Sequence, residues 1–214
     1  MDIRVAILVA FSALLRVSEY TCPTMSAFVP GHTLLRKDVL VSPLFIRLDL
    51  HHSKTDASNH GHHVYIYNHD AFGSAYSVFS KYLRDTAHRS AESPVFMIDA
   101  APGSRRRYVT RLMINACLKE AGTAMGMDVT YLSSHSLRIG GATALADADA
   151  SDRDIQFAGR WRSDTFLKYI RVSLRRLAGI AHAVYVGPRD GLPPRASFDD
   201  LPDVLDYAPP SPSV

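Results

Sequence analysis

The chain has 214 residues, 47% of them hydrophobic and 21% charged, enough apolar material for a buried core, which excludes disorder from end to end. Two cysteines, Cys22 and Cys117, are too few to staple a chain of this length, so a disulfide scaffold is excluded and a reducing compartment suits it. The net charge of +3 hides a division: from Pro188 onward Arg189 and Arg195 face Asp190, Asp199, Asp200, Asp203 and Asp206, leaving a more basic body in which a polyanion partner is expected.

Val5 to Leu15 is almost wholly apolar, which raises the question of a secretory signal. Asp2 stands where such a signal wants positive charge, Arg16 and Glu19 follow directly, and the run is well short of the roughly 20 apolar residues that span a bilayer. The segment Asp2 to about Ser18 therefore reads as a core helix, apolar on nearly every face, with Arg16 at its end emerging into a cleft before Thr21-Cys22-Pro23-Thr24.

From Thr33 to Asn68 the period changes to two. Leu44, Ile46, Leu48 and Leu50 alternate with Phe45, Arg47, Asp49 and His51, and Val64 and Ile66 with Tyr65 and Tyr67. Two paired strands follow, joined by a turn over Thr55 to Gly61 and preceded by a third strand around Leu35 to Val41. Lys54 sits where the strand enters the turn. The histidines around it (His51, His52, His60, His62, His63, His69) lack a structural zinc pattern: alternation sends neighbours to opposite faces, and no cysteine lies nearby. Protonated, some would add to the attraction for a polyanion.

Ala71 to Ala87 and Thr110 to Met125 read as helices, separated by a loop holding Pro94, Pro102, Gly103 and Arg105-Arg106-Arg107; that basic run is a solvated loop touching a nucleic-acid backbone, or a targeting signal. Ser133 or Ser134 caps a helix from His135 to about Ala146, and Ser151 or Asp152 a short one to Ala158. Ser163 caps the last, with a stripe of Phe166, Leu167, Ile170, Leu174 and Leu177. Seven of twelve prolines fall from Pro188 onward, so residues 188–214 are expected to be a proline-rich acidic tail, extended or disordered or else docking on a partner, behind a domain over 1–187.

His135 and Arg138, three apart at the first turn of a helix, share a face where N-terminal amides favour anions. With them come, in order, Arg16 in Leu-Leu-Arg-Val-Ser-Glu, Lys54 in Ser-Lys-Thr-Asp, His135-Ser-Leu-Arg138-Ile-Gly-Gly-Ala-Thr, Gly159-Arg160-Trp161 and Tyr169. On these motifs, from about Val5 to Val172, the sequence resembles the catalytic domain of the tyrosine recombinase (phage integrase) family. The resemblance implies an α+β fold, mainly helical with a small antiparallel three-stranded sheet whose edge delivers Lys54, and a site-specific recombinase or integrase that breaks and rejoins DNA through a 3′-phosphotyrosyl link.

The implied roles suit the residue types. Tyr169 is the nucleophile; a phenol of pKa about 10 is mostly protonated at neutral pH and needs help, with His135 assisting its proton transfer. Arg16 and Arg138 clamp the scissile phosphate with paired N–H donors, Lys54 is the general acid for the leaving 5′ hydroxyl, and Glu19 is either the acidic residue that orients the site or a surface carboxylate. At the residue after Gly159, where the family has His or Trp, this chain has Arg160 and then Trp161. Gly-Arg-Trp is similar to the form in recombinases of eukaryotic mobile elements, which makes Arg160 a phosphate donor and Trp161 a packing residue or hydrogen-bond donor.

The resemblance further implies double-stranded DNA as partner, a homo-oligomer (a tetramer) on paired sites, no cofactor, no metal and no membrane, in an intracellular setting that is the nucleus if the host is eukaryotic. Family members carry an N-terminal clamp domain that is not seen ahead of Val5. The alternatives are accordingly a degenerate DNA-binding remnant and a type IB topoisomerase-like activity.

Overall fold

The computed structural model describes residues 2–51, 61–69, 73–98, 107–171 and 177–178. Two compact units divide the chain, Met1–Arg175 and Arg176–Val214; in the second the described residues are Leu177 and Ala178, both exposed. The boundary expected at 187–188 and the acidic tail lie outside the described residues, as do Lys54, Arg105 and Arg106.

The first unit is mainly helical with a small antiparallel sheet, the expected class. Helix α1 (Asp2–Ser12) buries Val5, Ala6, Val9 and Ala10 and packs against α3 (Ala75–Asp85), α4 (Arg111–Ala124) and α5 (Ser134–Asp147). Its contact with α5 is close: a Cβ on Gly141 would stand 2.7 Å from the Phe11 carbonyl oxygen, so only glycine lets the two backbones meet. Strands β1 (Val39–Val41), β2 (Phe45–Leu50) and β3 (His62–Tyr67) pair antiparallel in that order, with Ile46 opposite Ile66 and Leu48 opposite Val64. Period-two alternation sends Ile46, Leu48, Leu50, Val64 and Ile66 inward against α3 and leaves Phe45, Tyr65 and Tyr67 in edge and stacked contact on the outer face. The loop expected between α3 and α4 contains a further antiparallel pair, β4 (Met97–Ile98) with β5 (Arg107–Tyr108).

Helix starts follow the sequence closely. The hydroxyl oxygens of Ser74, Thr110 and Ser151 accept the N–H groups of Ser77, Met113 and Asp154 at the heads of α3, α4 and α6 (Asp152–Gly159). At α5 the Ser133 N–H donates to Ser136 Oγ at 3.1 Å, and Asn115 of α4 accepts the Ser134 N–H at 2.7 Å, tying the two helices together.

Two expectations about helix ends are corrected. The first helix does not run to Ser18: it closes at Ser12, Leu14 turns left-handed (φ 46°), and the Leu15 N–H reaches back to the Ala10 carbonyl at 2.9 Å before a short α2 (Val17–Tyr20) begins. That is a Schellman-type closure with leucine where glycine is usual, at a cost of about 1–2 kcal/mol that burial of Leu14 offsets. Continuous hydrophobicity masks such an end. Over its described residues up to 171 the last segment is not the expected α-helix but a 3-10 turn, Asp164–Lys168, ending at Tyr169; beyond it Leu177 and Ala178 are helical. Ser163 Oγ contacts Thr165 Oγ1 instead of capping, and the Arg171 N–H donates to Thr143 Oγ1 at 3.0 Å, which takes it out of a helical ladder. Of the expected stripe, Phe166 is buried, Leu167 is exposed and Leu174 lies outside the described residues.

Buried side chains fall into two clusters. The large one joins α1, the sheet, α3 and α4 through Val9, Leu15, Ile46, Leu48, Phe79, Phe96 and Ile114. The small one gathers Leu14, Ala142, Ala146, Ile155 and Phe166, with Trp161 and Tyr169 half-buried on it.

Candidate active site

Arg16, Glu19, Arg138 and Arg160, far apart in sequence, meet at the seam between these clusters. Arg16 is the N-cap of α2. Its own N–H donates to Glu19 Oε2 at 2.7 Å, the return half of a capping box, and its Nη1 donates to Glu19 Oε1 at 3.1 Å. The Arg-Val-Ser-Glu spacing therefore does two things: it starts a helix and it holds a guanidinium.

Glu19 is 2% exposed, so it is not a surface carboxylate. Its Oε2 also accepts Arg160 Nη2 at 2.7 Å, an ion pair buried on both sides. Arg138, 3% exposed on the inner face of α5, donates Nη1 to the Leu14 carbonyl and Nη2 to the Gly159 carbonyl, while its guanidinium carbon lies 4.3 Å from the centre of the Trp161 ring and 5.9 Å from that of Tyr169. Burial, and then the nearby Arg16 and Arg160, outweigh Glu19 and push the Arg138 guanidinium down to about 9. It remains cationic at neutral pH, in a setting where an incoming anion would relieve it.

Helix α6 ends as α1 does, on a left-handed residue, here Arg160 (φ 57°), with the Trp161 N–H on the Gln156 carbonyl at 3.0 Å. The preceding Gly159 makes room for the Trp161 ring: a Cβ there would stand 1.6 Å from it and displace it. The ring is thereby laid across Gly159 and against Tyr169, ring centres 4.9 Å apart. His135, at the exposed start of α5, meets Tyr169 edge-on from the other side at 5.1 Å. Its pKa is lowered, first by burial and then by Arg138, Arg111 and Arg171, so the ring is neutral at neutral pH.

Of the seven residues expected to form the site, the structure thus brings six together: Arg16, His135, Arg138, Arg160, Trp161 and Tyr169. The seventh, Lys54, lies in the connection between β2 and β3, outside the described residues. Arg160, expected as a phosphate donor, turns its side chain inward. It is 8% exposed, with its N–H groups turned onto Glu19 and the carbonyls of Ala13 and Leu14. One contributor was missed: Thr143, whose hydroxyl donates to the Tyr169 carbonyl at 3.4 Å while accepting the Arg171 N–H, so that it braces the backbone around the tyrosine. It is the last residue of His-Ser-Leu-Arg-Ile-Gly-Gly-Ala-Thr, and two helical turns from His135 was the signal available. Among the described residues no group of three or more His, Cys, Asp or Glu side chains is arranged to hold a metal ion, and no helix is long and apolar enough to cross a membrane.

Comparison with solved structures gives the fold a name. The chain has the fold of tyrosine recombinase catalytic domains. It is similar to XerA recombinase (17% identity, TM-score 0.61, over 88% of this chain and 57% of that one). It is also similar to the XerH site-specific recombinase bound to palindromic difH substrate in a post-cleavage complex (14%, 0.58, 86% and 45%), and to the Tn1549 transposon integrase in complex with transposon right end DNA (14%, 0.52, 86% and 58%). The chain spans about half the length of these structures. No protein-family model and no curated protein matches it.

Proposed function

We propose that this chain is the catalytic part of a site-specific DNA recombinase or integrase, which breaks and rejoins double-stranded DNA by two successive transesterifications and works as a homo-oligomer, a tetramer, on paired sites. One observation carries the reading: three guanidiniums, at least two of them on one buried carboxylate, adjoin a tyrosine held between a neutral imidazole and an indole. Among the described residues the buried cationic groups outnumber the buried carboxylates beside them, which suits an anion, and a tyrosine beside them suits a nucleophile with an electrophile to meet. The shared fold with recombinases solved on DNA substrates supports the same reading.

In this scheme the Tyr169 oxygen attacks phosphorus, forming a phosphotyrosyl ester as the bond to the 5′ oxygen breaks. His135, neutral at working pH, accepts the phenolic proton, and Lys54 supplies one to the departing 5′ oxygen. Arg138 has an N–H on each Nη, besides those on Leu14 and Gly159, to meet charge growing on the non-bridging oxygens, and Arg16 acts beside it. Attack of a 5′ hydroxyl on the phosphotyrosine reverses the step, so no bond energy is lost to water.

A nicked duplex, from which the short 5′-hydroxyl strand escapes after cleavage, tests the reading. The chain should form a denaturant-resistant protein–DNA adduct, and Tyr169→Phe should form none. Binding without any adduct across a library of nicked duplexes would make it a degenerate binding module, and relaxation of supercoils without exchange would place it with type IB topoisomerases.

A further inference from the structure

Three consecutive residues connect every part of the site. The Gly159 carbonyl accepts Arg138, the Trp161 ring stacks on Tyr169, and between them Arg160 addresses Arg16 twice. Arg160 Nη2 occupies the same Glu19 oxygen that receives the Arg16 N–H, and the Arg160 carbonyl accepts Arg16 Nη2 at 3.4 Å. The rest of its guanidinium reaches the left-handed end of α1, with Nη1 on Ala13 O at 3.4 Å and Nη2 on Leu14 O at 3.3 Å. The Leu14 carbonyl is also where Arg138 donates. The ends of α1 and α6, both closed by a non-glycine residue in the left-handed region, are thus fastened to each other by this side chain together with Arg138.

We propose that Arg160 is a positioning residue: by holding Glu19 and the Leu14 turn it sets the Arg16 guanidinium, and it does not itself touch the phosphate. Its backbone conformation, which costs more for arginine than for glycine, is what turns the side chain inward to that task. Removing it would free the Glu19 carboxylate to follow Arg16, so the phosphate clamp would lose its geometry while its charge count at the DNA surface stayed nearly the same. Displacements of about 1 Å at such a clamp cost on the order of a hundredfold in rate.

Arg160→Gly is the informative variant, because glycine accepts φ 57° without strain while the guanidinium is lost. The first measurement does not depend on activity: the guanidinium N–H resonances of Arg16, identified by their absence in Arg16→Lys, should be resolved in the native protein and lost to exchange in Arg160→Gly. Their persistence would overturn the proposal. Should Arg160→Gly fail to melt cooperatively, Arg160→Lys replaces it; a lysine that keeps an ammonium on Glu19 should keep the Arg16 resonances but shift them, and unshifted resonances would overturn the proposal equally.

The second measurement rests on the cleavage reading above. On a nicked duplex Arg160→Gly should slow adduct formation by about ten- to a hundredfold at saturating DNA, with the half-saturating concentration changed less than twofold. In an Arg16→Lys background the same change should cost less than threefold more, since its path through Arg16 is already broken. A full, independent factor there would make Arg160 a direct ligand and sink the positioning role. If the native chain traps no adduct on any duplex, the cleavage reading fails, and the resonances of Arg16 still decide the place of Arg160.

Discussion

The two hydrophobic clusters divide the labour of the molecule. The large one is built of long elements, and its aromatic centre, Phe79, Tyr82 and Phe96, is stacked and almost wholly inaccessible. The small one is built of helix ends and a five-residue 3-10 turn, yet the proposed nucleophile rests on it. Between them lie the arginines, fixed to carbonyls from both sides. On the proposed function, the contrast would let one domain hold the proposed phosphate clamp rigid while keeping the proposed attacking group on an element of few buried contacts, which opens more cheaply than the core.

Several changes would break or sharpen that contrast. The largest effect belongs to the seam: Glu19→Ala strips Arg160 of a fully buried counter-ion and should destabilise the domain by about 3–5 kcal/mol in urea denaturation. A value under 1 kcal/mol would mean the site relaxes to admit water. Phe79→Ala, in the large cluster, should cost about 3–5 kcal/mol of global stability. Phe166→Ala removes the same side chain from the small cluster, and hydrogen exchange should show its main effect as faster opening of residues 164–171, with amides of α1 and β2 protected as before. Equal loss of protection throughout would show that the clusters unfold as one.

Gly159→Ala drives a methyl group into the Trp161 ring and should cost about 1–3 kcal/mol, with a larger proportional loss of adduct formation because the ring must leave Tyr169. The smallest effect is on pH. His135 titrates below its ordinary value of about 6.5, so its neutral form, and the stability associated with it, is complete above that pH and declines as pH falls through the lowered value. Adduct formation should show an acid limb there. Arg111→Gln, which removes one of the cations that lower His135, should move the limb to higher pH; an unmoved limb would assign it to another group.

The sheet was legible because its inner face alternates cleanly from Ile46 to Leu50 and from Val64 to Ile66, and the starts of α4 and α6 because Thr110 and Ser151 are capping residues; α3 starts at Ala75 behind Ser74, later than the Ala71 expected. The helix ends were less so. Leu14 and Arg160 turn left-handed without being glycine, and what holds them there is each other and Arg138, a tertiary arrangement that local spacing does not encode. Gly159 is not the left-handed residue; its lack of a side chain serves the Trp161 ring. The same gap explains Arg160: a cationic residue beside a phosphate motif suggests phosphate, and only its inward direction reveals Glu19 as its partner. Arg16, His135, Arg138 and Tyr169, by contrast, were singled out by the resemblance of the motifs that hold them to a known family, and they are neighbours in space.

The account stands on Tyr169 acting as the nucleophile at a phosphate held by this arginine cluster. Proteolysis of the adduct trapped on a nicked duplex, followed by mass spectrometry of the DNA-bound peptide, tests this directly. The prediction is one nucleotide-bearing peptide with the modification on Tyr169; attachment at any other residue, or protein–DNA complexes that yield no covalent peptide, would contradict it.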